Sequence, residues 1–279
     1  MKKIAIVLVF TILLFGCEIN SNRLERIKVS GELVTMEESF DDFTEIIIAG
    51  PFDVIIEQNG TSGMKVETHE SLMQWVRSES LEDGTILLYL EDTSKSKSID
   101  IHFDEDEFDE ISRNSILSGS RLKWPDNEKN LNVVLSVNEL NRIQILGESS
   151  IEFTEAFKAD EFKLEVAGAV ELNAEFEVNE LDIEIAGAGN LNMKGEVDVF
   201  KLECAGAGTI KAYDLIANHI DLEIAGVCNA KVYALDRLDA DIAGVGTVKY
   251  KGNPPVINFD KAGLGSIKSA DAENEETEI

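Results

Sequence analysis

One phrase recurs six times in the second half of the chain, and it constrains the fold more than any other feature. Each copy has an acidic residue two places before an alanine that is followed by glycine, as in Leu-Glu-Cys-Ala-Gly-Ala-Gly at 202–208. Successive leading glycines are 18 to 20 residues apart. They are Gly168, Gly187, Gly206, Gly226, Gly244 and Gly263. A fixed period of this length is typical of a solenoid and is too short for repeats built from two helices.

Within each copy the residues alternate between apolar and polar. Ile183 and Ile185 fall on one side of the chain, and Asp182 and Glu184 fall on the other. Alternation with period two indicates β-strands. We therefore predict an all-β fold, a parallel β-solenoid with rungs of about 19–20 residues. The Ala-Gly segments are predicted to be bends, where only small side chains fit or where φ must be positive.

Aligning the copies predicts two charged columns on the outside of the solenoid, one on each side of the bend. The first is acidic and consists of Glu165, Glu184, Glu203, Glu223, Asp241 and Asp260. The second begins with Asn173 and Asn192 and continues with Lys211, Lys231, Lys249 and Lys268. Two interpretations remain open. The columns are ordinary solvated faces on which lysines shield the acids, or they form a linear track for a repeating ligand or a weak Ca²⁺ site.

The remaining composition excludes several classes of site. The chain has three Cys and three His, and their spacing matches no disulfide framework, zinc module or catalytic triad. No cofactor is predicted beyond weakly bound Ca²⁺. Cys204 takes an inward position and Cys228 replaces a bend glycine on the next rung. We expect both to be buried thiols that lie too far apart to pair.

The N-terminus has the features of a targeting segment. Lys2 and Lys3 precede an apolar run at 4–15, which is too short to span a bilayer as a free helix, and Cys17 follows Gly16. This arrangement resembles the lipobox of bacterial lipoproteins and implies acylation of Cys17. We predict a signal peptide at 1–16, a tether at 17–30, and an outer-membrane lipoprotein that contacts the membrane through its N-terminal lipid. Whether this lipoprotein is exposed at the cell surface is left open. The alternative to a lipoprotein signal is an ordinary signal peptide in which Cys17 is not acylated.

The first half of the chain is also rich in predicted strands but is less regular. Asn59-Gly60 and Asp83-Gly84 indicate turns, the second within a hairpin, and 71–75 has the pattern of one helical turn. We assign 31–140 to an irregular β-rich part, 141–270 to the solenoid repeats and 271–279 to a disordered acidic tail. Six of the seven residues at 104–110 are acidic, and a solvated strand end is favoured there over a calcium loop.

The charge of the chain bears on its partners. It has 54 acidic against 25 basic residues and a formal net charge of −29. Nucleic acid is repelled at long range by such a charge, so no nucleic-acid partner is predicted.

The segment at 43–56, the segment at 83–90 and the later Ala-Gly rungs together resemble the head GIN-domain family. Members are described as auto-transporter adhesins, and many are envelope lipoproteins of Bacteroidetes. The resemblance implies a role in binding at the cell envelope. Its motifs are structural, so it carries over no catalytic residue.

Three functions are weighed. The first is a non-enzymatic binding or adhesion module that presents its solenoid faces to a polysaccharide or a protein. The second is a structural or envelope-sensing scaffold that faces the periplasm and associates through its ends or sides. The third is a polysaccharide-active β-helix enzyme, which requires a local cluster of acids that the repeats do not show.

Overall fold

The computed structural model describes residues 29–91 and 131–271, which contain thirteen β-strands and one short helix. The signal peptide, Cys17 and most of the tether lie outside the described residues, as do the acidic segment at 104–110 and residues 272–279. In chain order the elements are β1 (Leu33–Ser39), β2 (Glu45–Ala49), β3 (Asp53–Gln58), β4 (Gly63–His69), α1 (Glu70–Met73), β5 (Val76–Ser80), β6 (Ile86–Leu90), β7 (Leu131–Val137), β8 (Arg142–Cys204), β9 (Ala207–Ile224), β10 (Val227–Ile242), β11 (Val245–Lys251), β12 (Val256–Lys261) and β13 (Leu264–Ser269).

Parallel pairing from β8 to β13 forms the predicted solenoid. β8 is a continuous 63-residue run that covers several rungs. β9 pairs with β8, and β10 pairs with β9, so that they form the rungs that follow. The register places Glu203 beside Glu223 and Lys231 beside Lys211, so equivalent residues of successive copies are direct neighbours. The sequence period and the structural period are therefore the same.

Each rung turns at its leading glycine because two backbones meet closely there. A Cβ placed on Gly206 would lie 2.0 Å from the carbonyl oxygen of Gly187, and Gly187 meets Gly168 in the same way. Gly187 also has a φ of 150°, which an L side chain rarely adopts. Because the backbones of adjacent rungs are so close at the bend, the N–H of Val227 donates a hydrogen bond to the carbonyl of Gly206 at 2.7 Å. Only glycine fits this column of the solenoid.

Parallel stacking begins before residue 141, inside the part that the sequence marks as irregular. β2 pairs in parallel with the start of β8, with Glu45 beside Arg142, and β3 pairs in parallel with β7 and with β8. Gly50, between β2 and β3, has a φ of 151° and occupies the bend of this early rung. The segment at 45–54 is therefore a rung of the solenoid.

Antiparallel strands are added at this N-terminal end. β1 pairs with β4, and β4 pairs with β7, while β5 and β6 form the hairpin around Asp83-Gly84. The predicted helical turn near 71–75 corresponds to α1. These strands cover the first rung and pair with its edge. Without them the backbone groups of that edge would be unpaired.

The interior changes in size along the solenoid axis. The first rungs enclose four phenylalanines with ring centroids 5.1–6.5 Å apart, mostly edge to face. They are Phe153, Phe157, Phe162 and Phe176. Later rungs fill the core with smaller side chains such as Ala212, Cys228 and Ala230, all at most 1% exposed. Burial of this continuous apolar column is the main source of stability.

The C-terminal end has a different character. Within the described part of the chain no strand covers β12 or β13 on the far side, and Leu264 is 80% exposed.

In residues 29–91 and 131–271 no helix has the length and apolar character needed to cross a bilayer.

Candidate binding faces of the solenoid

The acidic column forms one outer face, on the strand before the bend. Glu203, Glu223, Asp241 and Asp260 are neighbours in register on successive rungs. Adjacent parallel strands lie about 4.8 Å apart. Like charges at this spacing repel by roughly 1 kcal/mol in water before screening by salt.

Basic residues neutralise the N-terminal end of this acidic column. Arg142 and Gln144 both donate to Glu165, at 2.7 Å from the guanidinium and 2.6 Å from the amide. Lys163 lies between Glu165 and Glu184, at 3.1 Å and 2.7 Å. Burial alone would raise the pKa of the Glu165 carboxyl, but these hydrogen bonds outweigh it and lower the pKa below its usual value.

Glu203, in the middle of the column, lacks such an ion pair among the described residues. Burial raises the pKa of the Glu203 carboxyl, and the carboxylates of Glu184 and Glu223 raise it further. Burial, Asp239 and Asp241 act in the same direction on the pKa of Asp221, which occupies the second outward position of its strand. Glu165 and Glu203, two members of one column, therefore differ in the direction of their pKa shift and in electrostatic cost.

The arrangement bears on metal binding. Among residues 29–91 and 131–271 no group of three or more His, Cys, Asp or Glu side chains is arranged to hold a metal ion. Stacked carboxylates attract cations without a preformed coordination shell, so weak Ca²⁺ association with the acidic column stays a prediction.

The second outer face, on the strand after the bend, is the lysine column. It consists of Lys211, Lys231, Lys249 and Lys268, which are neighbours in register. In the rungs before them the same column holds Asn173 and Asn192, whose side-chain amides hydrogen-bond at 3.1 Å. The column therefore changes from neutral amides to cations towards the C-terminal end.

An aromatic ring accompanies the lysine column. The Nζ of Lys251 lies 4.5 Å from the ring centroid of Tyr213, and the Nζ of Lys231 lies 5.7 Å from it. These are cation–π distances. Lys251 lies outside the columns that the alignment of copies compared. The same is true of Arg142 and Lys163, which occupy the second outward position of their strands.

A shallow groove of about 330 Å³ runs between the bend and the lysine column. Small side chains line one side, among them Ala188, Ala207 and Val227. The other side is a column of amides and hydroxyls, Asn190, Thr209 and Asn229, that are neighbours in register. The groove crosses successive rungs, so it follows the solenoid axis.

The two described cysteines are buried and free, as predicted, although their side chains approach the same space. Both sulfurs lie about 3 Å from where a Cβ of Gly208 would be. Although they belong to different columns, the missing side chain of Gly208 lets both fill the same space. The neighbouring Cys204 thiol and burial raise the pKa of the Cys228 thiol above its ordinary value.

The fold recurs in solved structures. A structure described as a "putative adhesin" from Bacteroides fragilis has a TM-score of 0.69 and 21% identity, over 86% of this chain and 98% of that one. One described as a "putative lipid binding protein" from Parabacteroides distasonis has a TM-score of 0.62 and 25% identity, over 88% and 100%. Another "putative adhesin", from Parabacteroides merdae, has a TM-score of 0.57 and 18% identity, over 88% and 99%. At these identities the likeness concerns the fold.

The family comparison is more specific, whereas no curated protein matches the chain. A family model described as "putative auto-transporter adhesin, head GIN domain" matches residues 42–254, which include the early rung at 45–54 and five of the six Ala-Gly copies. Because this match covers most of the chain and the bends around which the fold is built, the protein belongs to the head GIN-domain family.

Proposed function

We propose that the protein is a non-enzymatic binding protein of a bacterial outer membrane, anchored by lipid at Cys17, that holds a polysaccharide or protein partner on the faces of its solenoid. The observation that carries the proposal is the register that aligns identical side chains on successive rungs. A column of repeated chemistry suits a ligand that itself repeats. Family membership supports a role in adhesion.

The arrangement of the acids supports binding over catalysis. Glycoside cleavage uses two carboxyl groups on opposite sides of one bond, with unlike environments. In the described residues the acids instead form a regular column along an open face, with one member per rung.

The anchor is proposed from the sequence around Cys17. Acyl chains contribute roughly 0.8 kcal/mol per buried methylene, so several chains hold a protein firmly in a bilayer. The solenoid would then stand away from the membrane on the polar segment at 17–30.

The test compares intact cells that express the wild-type chain with cells that express Cys17→Ala. Metabolic labelling with a clickable palmitate analogue should mark the wild-type chain and leave the variant unlabelled. Wild-type cells should adhere to a panel of immobilised glycans and extracellular proteins, and cells that lack the protein should not. Equal adhesion by wild-type cells and by cells that lack the protein would overturn the binding role. Equal labelling of the wild-type chain and the Cys17→Ala chain would overturn the anchor.

A second candidate is end-to-end association, and the exposed last rung favours it. Val256, Ile257 and Leu264 are 41%, 40% and 80% exposed on β12 and β13. Open strand edges with apolar side chains favour pairing with another chain. Sedimentation of the full chain in detergent should show a dimer that Leu264→Asp disrupts and Val227→Asp does not. A monomer at all concentrations would eliminate this candidate.

A further inference from the structure

The lysine column is a local exception in a strongly acidic protein. Lys231 is next to Lys211 on one side and to Lys249 on the other, and Lys249 is next to Lys268. At about 4.8 Å per rung, each contact brings two cations close together, and they repel each other. The fold does not require this charge, because Asn173 and Asn192 serve at the same position with a hydrogen bond.

Several lysines elsewhere in the solenoid are neutralised by carboxylates, whereas most members of the lysine column are not. Lys158, Lys194 and Lys201 each form an ion pair with a glutamate of a neighbouring rung. Lys211, Lys231 and Lys268 form no ion pair with a carboxylate of the described residues, although the chain carries 54 acids in total. Their ammonium groups are thus available for an anionic ligand.

The ring of Tyr213 holds two lysine ammonium groups near the lysine column. Its ring lies within cation–π distance of Lys231 and of Lys251, from the next two rungs. The ring therefore concentrates ammonium groups beside the column and limits their freedom, which lowers the entropy cost of binding an anion.

The groove beside the lysines adds neutral contacts. Asn190, Thr209 and Asn229 present amides and a hydroxyl in register along it. Further along the same column, the hydroxyls of Thr247 and Ser266 lie 3.3 Å apart. A ligand lying along this column would meet its hydrogen-bonding groups directly and the cations of the lysine column on the side away from the small side chains, with one set of each per rung.

We infer that this face binds a linear polysaccharide bearing carboxylates, such as a polyuronate, lying along the solenoid axis with its hydroxyls towards the amide column and its carboxylates towards Lys211, Lys231, Lys249 and Lys268. The inference rests on the proposed binding function and specifies its ligand. The rung spacing is close to the length of one sugar in an extended chain. The overall charge of −29 does not prevent contact, since at physiological salt interactions beyond about 8 Å are largely screened.

Single-stranded nucleic acid fits the face less well. Its bases need aromatic platforms for stacking. Lysine side chains already approach the ring of Tyr213. The face therefore suits a polymer of sugars rather than one of bases.

The experiment measures binding of polygalacturonate to the full-length protein, purified in detergent, by biolayer interferometry. Fully methyl-esterified polygalacturonate has the same backbone without the charge, and oligo-dT is a polyanion without the sugar chain. Lys231→Gln/Lys249→Gln removes two charges from the centre of the column. Lys65→Gln/Lys158→Gln removes two exposed lysines elsewhere, and Lys231→Arg/Lys249→Arg keeps the charge of the column.

We expect the wild-type chain to bind polygalacturonate, the column Gln variant to bind at least tenfold more weakly, and the control and Arg variants to bind within threefold of wild type. The esterified polymer should not bind. Absence of polygalacturonate binding, equal loss in the control variant, or tighter binding of oligo-dT would overturn the inference. Adhesion of cells to another ligand would then still leave the proposed function in place. Matching circular dichroism and Tm values establish that the variants fold.

Discussion

The side chains of Cys204 and Cys228 approach the same point inside the solenoid, at a bend where Gly208 has no side chain. Cys204 belongs to the strand before the bend of its rung, and Cys228 is the register partner of Gly208 on the next rung. A Cβ on Gly208 would lie 3.0 Å from the sulfur of Cys204 and 2.9 Å from that of Cys228. A glycine on one rung thus makes room for a larger residue on another.

This relationship predicts that Gly208→Ala overfills the core. We expect it to lower the free energy of unfolding by about 1–3 kcal/mol, the usual cost of adding a methyl group to a packed interior. Urea denaturation measures the loss. In the Cys228→Ala background the cost should fall, because the sulfur that the new methyl would meet is absent. An identical cost in both backgrounds would contradict the packing described.

The bend predicts a larger effect for Gly206→Val. The new Cβ would meet the carbonyl oxygen of Gly187 at 2.0 Å, and neighbouring backbone cannot move away without breaking the rung. We expect a loss above about 2 kcal/mol, or failure to fold. Ala207→Val is the matched control, since the chain already has Val227 and Val245 at the equivalent exposed position. A loss below about 0.5 kcal/mol for Gly206→Val would contradict the role of the bend.

The acidic column predicts opposite effects for two glutamates. The pKa of Glu165 is lowered in the folded chain, so its contribution to stability is present above the unfolded-state pKa and is lost as the pH falls through the folded-state pKa. The pKa of Glu203 is raised, so stability is lost as the pH rises from the unfolded-state value through the folded-state value. At pH 7 Glu165→Gln should therefore destabilise the protein by about 1 kcal/mol, and Glu203→Gln should stabilise it by up to about 0.5 kcal/mol.

Thermal unfolding of these variants between pH 3 and pH 8 provides the check. The penalty of Glu165→Gln should shrink as the pH falls, and the gain from Glu203→Gln should also disappear in acid. Effects of the same sign at pH 7 would show that neighbouring charges do not distinguish the two positions.

Repulsion along the acidic column also predicts a response to divalent cations. We expect the Tm of the full chain to rise in millimolar CaCl₂ relative to EDTA, and to rise more than in NaCl of equal ionic strength. Glu203→Gln/Glu223→Gln should reduce the difference, because it removes two carboxylates that are neighbours in register. An unchanged Tm would eliminate calcium binding at the column.

The repeat made the solenoid predictable because its period, its alternation and its glycines all specify the same geometry. The register of the columns followed from aligning the copies, so Lys231 and Lys211 could be placed side by side without a structure. Contacts that cross between columns could not be found this way. The meeting of Cys204 with Cys228 depends on what Gly208 lacks, and the approach of Lys251 to Tyr213 depends on a register shift after Val232. The segment at 45–54 resembles the later rungs in sequence, but its partners could not be read from the repeat because its strands pair with residues far along the chain.

The measurement that tests the account most directly is protease shaving of intact cells, followed by immunodetection of the solenoid. We predict that the solenoid signal is lost while a periplasmic marker protein stays intact, because a binding protein that engages external polysaccharide must lie on the outer surface. Full protection in intact cells, with digestion only after lysis, would contradict the proposed adhesive role and would favour a scaffold that faces the periplasm.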